Sequence, residues 1–600
     1  MPLRIEDYAL IGDCHTAALV GNDGSIDWLC LPRFDSPSMF GALLGDENHG
    51  RWLLAPSGQV IETSRSYIAD TFTLVTRWVT STGEAEVTDL MPHGDRRADL
   101  VRRVRGIRGS VEFVEELAIR FGYAAAMPWV RQVDEEGGTR ALVAVAGPDA
   151  VVVRGPRLRP QDRHHEAVFT VNEGETVDLT MTWFPSHRPV PHRMDVATSI
   201  AATEEWWSAW AAARAPSPVY NDAVHRSLLV LRALTHEDTG GIVAAATTSL
   251  PEEFGGSRNW DYRYVWLRDA SLTLHVLLDH GYQTEAEEWR RWLLRAIAGD
   301  PGDVQIMYGL AGERRLAEYE VPELPGYEGS SPVRVGNGAY TQYQGDVFGE
   351  VMIALARARD AGLVETEFSW PLQRALMAFV ENNWRRPDNG IWEIRGPVQH
   401  FTHSRVMLWA ALDCAIRAVR VHHLHGPVEA WEKLRGEIRD EIEAKGFDVE
   451  RNTYTQYYGS SGVDASLLQL AQVGYVEADD PRMLGTVAAI EEELLQDGLV
   501  LRYRTETGVD GLEGDEHPFL ACSFWLVEQY ARSGRLDDAT RMMDRLLGFA
   551  NDVGLMSEEY DVGQGRQAGN TPQALTHLTL VRAADAIAAA SKGATAPRHG

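Results

Sequence analysis

VATSIAATEEWWSAWAAARA, residues 196–215, is where the periodicity of this chain changes. Its apolar positions recur three and four apart, the spacing of one helix face, and Pro216 and Pro218 close it. On its N-terminal side the pattern is short and alternating. GSIDWLCL, TFTLVTRWVT, RALVAVAG, AVVVRG and TVDLTMTWF are rich in Val, Thr, Trp and Phe and are parted by Gly, Asp, Pro and Asn, as antiparallel strands are. Residues 1–194 are therefore expected to form an N-terminal antiparallel β-sandwich, with GPRLRPQDRHHEA (155–167) as a polar loop within it. Residues 195–220 read as the helical link to the second half.

On the C-terminal side the helical period repeats about twelve times, near 221–234, 261–281, 283–298, 340–360, 369–384, 400–423, 427–445, 464–472, 481–495, 518–532, 536–549 and 571–590. Connectors alternate in length. HGYQ, DAGLVETEF, LHGP and SGRLD are short, whereas 235–260, 299–339, 385–399, 446–463, 496–517 and 550–570 are long and rich in Gly, Trp and charge. Helices running alternately up and down place every long connector at one end. Helical hairpins in a ring then give an (α/α)6 barrel over 221–592, with 593–600 as a disordered tail. An open solenoid is the plainer arrangement, but no fixed repeat of the kind it needs is present. Loops held by a rigid scaffold are where chemistry concentrates, so the long connectors are the place to look.

Composition narrows the chemistry. The chain has 600 residues, 44% hydrophobic and 24% charged, enough for a large core. Its 57 Lys and Arg against 87 Asp and Glu leave a formal charge of -30, which repels phosphate. Nucleic acid and anionic membranes are poor partners; a neutral or cationic small molecule fits. Cys14, Cys30, Cys414 and Cys522 have no metal-type spacing and read as free buried thiols. No apolar run reaches the ~20 residues needed to span a bilayer, and the start lacks a basic-then-apolar leader. The expectation is a cytoplasmic protein, for which a homo-oligomer is compatible with the sequence. Nucleotide-loop, zincin and nucleophile-elbow motifs are absent, and the 19 histidines lack ligand spacing, so neither a cofactor nor a metal is expected.

In RRPDNGIWEIRGPVQ (385–399), Glu393 follows Trp392, and a carboxyl against an indole loses solvation and gains proton affinity. Taken alone, Glu393 could equally pair with Arg395 or Arg405 at the surface. NDVGLMSEEYDVGQGRQAGNTPQ places Glu558 and Glu559 before another helix, where a solvated acidic pair is the simpler reading. The barrel puts Glu393 and Glu558 on one rim, and two carboxyls facing one cavity are the apparatus of glycoside hydrolysis. TTSLPEEFGGSRNWDYRYVWLRDAS (247–271) supplies Trp260, Tyr262, Tyr264 and Trp266 as faces for a sugar ring, with Arg268 and Asp269 for its hydroxyls. An aromatic core turn with a capping Asp is the competing reading there. Arg334, Asn337 and Gln342 offer further polar contacts, His400 and Trp392 join the candidate sugar contacts, and RYRTETGVDGLEGDEHPF (502–519) reads as a solvated acidic loop.

These motifs, in this order, resemble glycoside hydrolase family 15, the family of glucoamylases and bacterial and archaeal trehalases. TTSLPE…RNWDYRYVWLRDAS, GYEGSSPVRVGNGAY, GIWEIRG…QHFTHSRVMLW, DASLL, GLVLRYR, CSFWLV and EEYD…GN-PQALTHL carry the resemblance over nearly the whole chain. It implies an inverting exo-hydrolase that releases β-glucose from the non-reducing end of an α-glucoside. By the same resemblance Glu393 matches the acid, Glu558 (with Glu559 beside it) the base, and Arg268 and Asp269 the pair that holds the terminal glucose. The chain departs from the family pattern at Ile394, where fungal glucoamylases carry a second Glu, at the S-E-E reading of the late motif, and at Ser331, where many bacterial relatives carry Arg. IWEIRG-PVQHFTHS, VRVGNGAY and the EEYD…PQALTHL tail look closer to actinobacterial-type trehalases than to starch-degrading members, which implies trehalose as substrate. A glucoamylase or isomaltose-type hydrolase on the same apparatus is the alternative. A carbohydrate-binding protein without catalysis is another, against which the retention of both Glu393 and Glu558 speaks. A loop of the β half is expected to cover the barrel mouth.

Overall fold

The computed structural model describes residues 2–94, 97–135 and 139–595. In the N-terminal half two antiparallel sheets share one strand, Ala98–Ala118, which is 21 residues long. Its first part pairs with Gly83–Leu90 and Thr176–Pro185, its second with Arg51–Pro56 and His164–Asn172. The strand changes sheet where Gly109 takes a positive φ of 65° and the register slips, a bend that a side-chain-bearing residue resists. Alternate residues such as Val104, Val111 and Phe113 are buried in the core between the layers. The stretch 155–167 is more ordered than its polarity suggests. Arg159–Gln161 and the start of His164–Asn172 form a hairpin about Asp162, at the edge of a sheet where polar side chains meet water.

Helix α1 (Val196–Ala211) is capped by Asp195, which accepts from the Thr198 N–H. Its tryptophans tie it to both halves: Trp206 stacks on His93, Trp207 meets Phe72, and Trp210 stacks on Tyr282. Twelve further helices follow among the described residues: α2 (Asn221–Ala233), α3 (Leu267–Asp279), α4 (Gln283–Ala296), α5 (Asp346–Asp360), α6 (Ser369–Asn383), α7 (Thr402–Arg420), α8 (Val428–Lys445), α9 (Gln469–Gln472, continuing the turn Ala465–Leu468), α10 (Pro481–Glu493), α11 (Leu520–Arg532), α12 (Leu536–Leu547) and α13 (Ala574–Thr595). The inner ring closes in the order α3, α5, α7, α9, α11, α13 and back to α3, while α2, α4, α6, α8, α10 and α12 lie outside it. Composition sets the layer. Helices α5, α7 and α11 are buried on nearly every side, whereas α4, α8 and α12 bury one stripe. This is the expected (α/α)6 barrel. Each inner helix starts at the end of a long connector, so the positive ends of the inner helices gather at one rim.

The tail expected at 593–600 lies outside the described residues from 596 on, and α13 runs through 595. The four cysteines are free and buried. No described helix is long and apolar enough to cross a membrane.

Candidate active site

The strand Asn259–Asp261 and the two residues that follow it present side chains to two sides. Trp260 and Tyr262 line a cavity at the rim of the barrel. Asp261 and Arg263, one position out of phase, turn to the β half. Arg263 pairs with Asp261 at 2.7 Å and donates to Ser36 O, the Tyr123 hydroxyl and Cys30 Sγ. Trp28 donates to Ala246 O nearby at 2.9 Å. The cavity lining comes entirely from 244–575. The β half thus braces the pocket wall from behind, and among the described residues none of it, including any loop expected over the mouth, lines the cavity.

At the floor lie Arg268 and Asp269, in the first turn of α3 and paired at 2.9 Å. Arg268 also donates to Ile391 O at 2.9 Å. Burial alone would favour loss of its charge, but Asp269, Glu393, Asp346 and Glu350 surround it and hold it cationic. Glu393 sits in a tight turn with φ 57°, unusual for a residue with a side chain and typical of a functional position. Gln342 fixes this turn by donating to Glu393 O and Ile394 O, so it binds backbone here. Neither Arg395 nor Arg405 takes the Glu393 carboxylate. Its Oε1 accepts from Trp266 Nε1 at 2.5 Å. Burial raises its proton affinity, opposed by Arg268 and by that bond. The indole in hydrogen-bond contact is thus Trp266 rather than the adjacent Trp392, whose Nε1 donates to Asp464 at 3.1 Å while the residue still lines the cavity.

Glu558 lines the same cavity, and Tyr262 donates to its Oε1 at 2.6 Å. Gly569, with φ 75°, passes so close that a Cβ there would lie 2.6 Å from the Glu558 Cβ. Glu559 is absent from the lining. It belongs to the strand Glu559–Asp561, and its carboxylate accepts from Arg502 at 3.3 Å and from the His517 N–H at 3.1 Å. Burial, and then the neighbouring Glu252, push Glu558 up to about 8; Arg502 and the Tyr262 bond oppose them.

Several cavity groups were not singled out in the sequence. Glu252 pairs with Arg502 at 2.9 Å, and Arg502 also meets Glu516 at 2.6 Å. Arg258 bonds Asp510 at 2.6 Å and Glu516 at 3.3 Å. The carboxylate oxygens of Glu252, Glu558 and Glu559 approach within 4.8 Å of one another, a spacing that could ligate a cation, but Arg502 already stands among them as counter-charge. The 502–519 stretch is accordingly solvated only in part: Arg502, Asp510 and Glu516 are buried, while Glu506, Glu513 and Asp515 are exposed. Its signal was present in the Tyr and Phe that accompany its charges.

Of the remaining candidates, Asn337 lines the cavity and caps the turn Gly338–Thr341. Trp260 lines the mouth, yet Arg395 and Arg334 lie against its ring at 4.3 and 4.6 Å, so its face is occupied by protein. Arg334 is not in the lining; its guanidinium donates to Ser257 O and Asn259 O behind Trp260. Tyr264 is buried away from the lining, and the half-buried His400 also lies outside it, bonding Arg405 at 2.6 Å and stacking on Tyr458. Polar and aromatic types suited to sugars serve equally to brace loops, which is what these residues do.

A cavity with two carboxyls, Glu558 buried and Glu393 half-buried, each held by an aromatic donor from one short segment, suits acid–base hydrolysis of a glycosidic bond. Comparisons with known proteins point the same way. The family model for glycosyl hydrolases family 15 matches residues 218–585, and that for the trehalase-like N-terminal domain matches residues 1–173. A trehalase of Mycolicibacterium smegmatis is 36% identical over 607 residues, 96% of this chain and 90% of the relative. A trehalase of Thermoplasma volcanium is 33% identical over 97% of this chain and 93% of its own length. A bacterial glucoamylase solved with acarbose superposes with TM-score 0.73 over 98% of this chain and 94% of its own, at 13% identity, which establishes the shared fold.

Proposed function

The chain belongs to glycosyl hydrolase family 15 and is a glycoside hydrolase, and from that premise we propose that it cleaves α,α-trehalose to two glucose molecules with inversion at one anomeric carbon. One observation carries the chemistry: Glu393 and Glu558 line a single cavity, one held by Trp266 and the other by Tyr262. The substrate is supported by likeness to trehalases over both halves of the chain. Cytoplasmic placement, where a small disaccharide is met, belongs to the same reading.

One glucose sits at the floor, its hydroxyls bonded by Arg268 and Asp269. Glu393 enters the reaction protonated and gives its proton to the glycosidic oxygen as the bond from that oxygen to the anomeric carbon breaks. A water between Glu558 and the opposite face of the ring attacks the same carbon, and Glu558 takes its proton. Inversion needs the two carboxyls roughly 6.5–9.5 Å apart to admit that water. Glu558 acts as its carboxylate. Arg502 among the crowded acids favours that form, and these acids titrate together. The cleaved bond leaves β-glucose at the floor and the second glucose toward the mouth.

Initial rates on trehalose, maltose, isomaltose and soluble starch test the proposal, with the anomer of the first glucose followed by polarimetry. Trehalose is expected to be turned over fastest, with β-glucose formed first. A preference for maltose or starch would replace the substrate, and retained configuration would overturn the mechanism.

A further inference from the structure

Four arginines line the cavity: the side chains of Arg258, Arg502 and Arg268 are 2%, 10% and 15% exposed, and that of Arg395 is the most open at 33%. Arg258, Arg502 and Arg268 are committed to buried carboxylates. Arg395 is different. It stands at the mouth beside the half-buried Trp260 and Leu512, two residues beyond Glu393.

The position of Arg395 is built by three connectors. Its backbone N–H donates to Asp510 O at 2.7 Å, and Asp510 is itself clamped by Arg258 and Tyr503. Its guanidinium lies 4.3 Å from the Trp260 ring centre, with Arg334 against the same indole. Glu318 grips it through two bonds, at 2.6 and 3.2 Å, while also reaching Arg334 at 3.8 Å and accepting from the Gly338 N–H at 2.9 Å. A planar guanidinium held on one edge by a carboxylate and on its face by an indole has lost its rotamer freedom, yet keeps N–H groups that this grip does not use.

A group fixed before it meets its ligand loses little entropy on binding it. The leaving half of the substrate occupies the mouth, because the glucose that is hydrolysed occupies the floor. We propose that Arg395 is a specificity-determining residue that donates to the hydroxyls of a hexose leaving group, and that Glu318, Trp260 and Arg334 are positioning residues for it. Neutral, hydroxyl-rich leaving groups such as a second glucose are then favoured over leaving groups that carry no hydroxyls. The inference rests on the inverting exo-hydrolase reading and extends it to the leaving-group side.

The test compares trehalose with α-D-glucosyl fluoride, whose leaving group is a single atom that cannot reach the mouth. The readout is the ratio of kcat/KM for trehalose to kcat/KM for the fluoride. In Arg395→Met this ratio is expected to fall about 10- to 100-fold, the range of a hydrogen bond to a charged group. In Glu318→Gln, which keeps the arginine and loosens its grip, the ratio is expected to fall by less, about 3- to 10-fold, mostly through KM. An unchanged ratio in both variants would overturn the inference, whether the two rates fall together or stay level. If the parent enzyme prefers another α-glucoside, the ratio is taken with that substrate. Failure of the trehalose reading is then seen in the parent enzyme, and failure of this inference only in the variants.

Discussion

Tyr262 gives its phenolic hydrogen to Glu558 Oε1 at 2.6 Å, across 296 positions of sequence. Tyr262 packs edge-on against Trp266, ring centres 5.5 Å apart, and Trp266 in turn donates to Glu393. One short segment therefore orients both carboxyls. In Tyr262→Phe, kcat/KM for trehalose is expected to drop about 10- to 100-fold through loss of a charge-assisted bond. The acid limb of its pH profile should move up, because the lost bond favours the carboxylate. A profile of kcat/KM against pH reads both effects.

Glu393→Gln is expected to fold normally and to lose about 10²- to 10⁴-fold in kcat on trehalose, the range assigned to general acid catalysis. α-D-Glucosyl fluoride needs no protonated leaving group and should lose far less. Stopped assays on the two substrates, with near-ultraviolet circular dichroism for folding, distinguish a lost proton donor from a damaged site.

The parent enzyme should show a bell-shaped dependence of kcat/KM on pH. Activity rises as the Glu558 group loses its proton and falls as Glu393 loses its own. Burial raises both above their ordinary 4.5, so both limbs belong above that value. The acid limb reports the group of carboxyls around Arg502 rather than one residue. Limbs both lying at or below pH 4 would contradict the assignment.

Gly569→Ala puts a methyl group where the Glu558 Cβ already sits 2.6 Å away and asks alanine to hold φ 75°. A loss of roughly 1–3 kcal/mol in stability is expected, together with a larger loss in kcat as Glu558 is displaced. Thermal unfolding and kinetics on the same preparation check it.

Arg263→Met leaves Asp261 buried without its cation. Destabilisation of about 3–5 kcal/mol is expected, and activity should fall although neither residue lines the cavity. Denaturant unfolding measures the first effect. The second is seen as reduced kcat at temperatures where the variant remains folded.

Much of this architecture can be read directly from the sequence, because it depends on short-range pattern. Period two gives way to period 3.6 at residue 196, and alternating connector lengths put inner-helix starts at one rim, which is enough to bring Glu393 and Glu558 together. What escaped was set by contacts between distant segments. Arg502 and Glu252 are 250 positions apart, and nothing local marks them as partners. Arg334 and His400 have the chemistry of sugar contacts but spend it on Trp260 and Arg405. Trp392 adjoins Glu393 in sequence, while the indole bonded to Glu393 comes from 127 positions away. The choice between Glu558 and Glu559 depends on which way a strand presents its faces, which the run S-E-E alone does not encode.

The two-faced segment around residues 259–263 ties together properties that a domain map would treat as separate. Inserting or deleting a single residue there would send the aromatic pair toward the sandwich and the ion pair toward the sugar, since neighbouring side chains point oppositely. Its length is thus more tightly constrained than its composition. The sandwich also cannot be exchanged for a relative's as an independent cassette unless the seam residues travel with it.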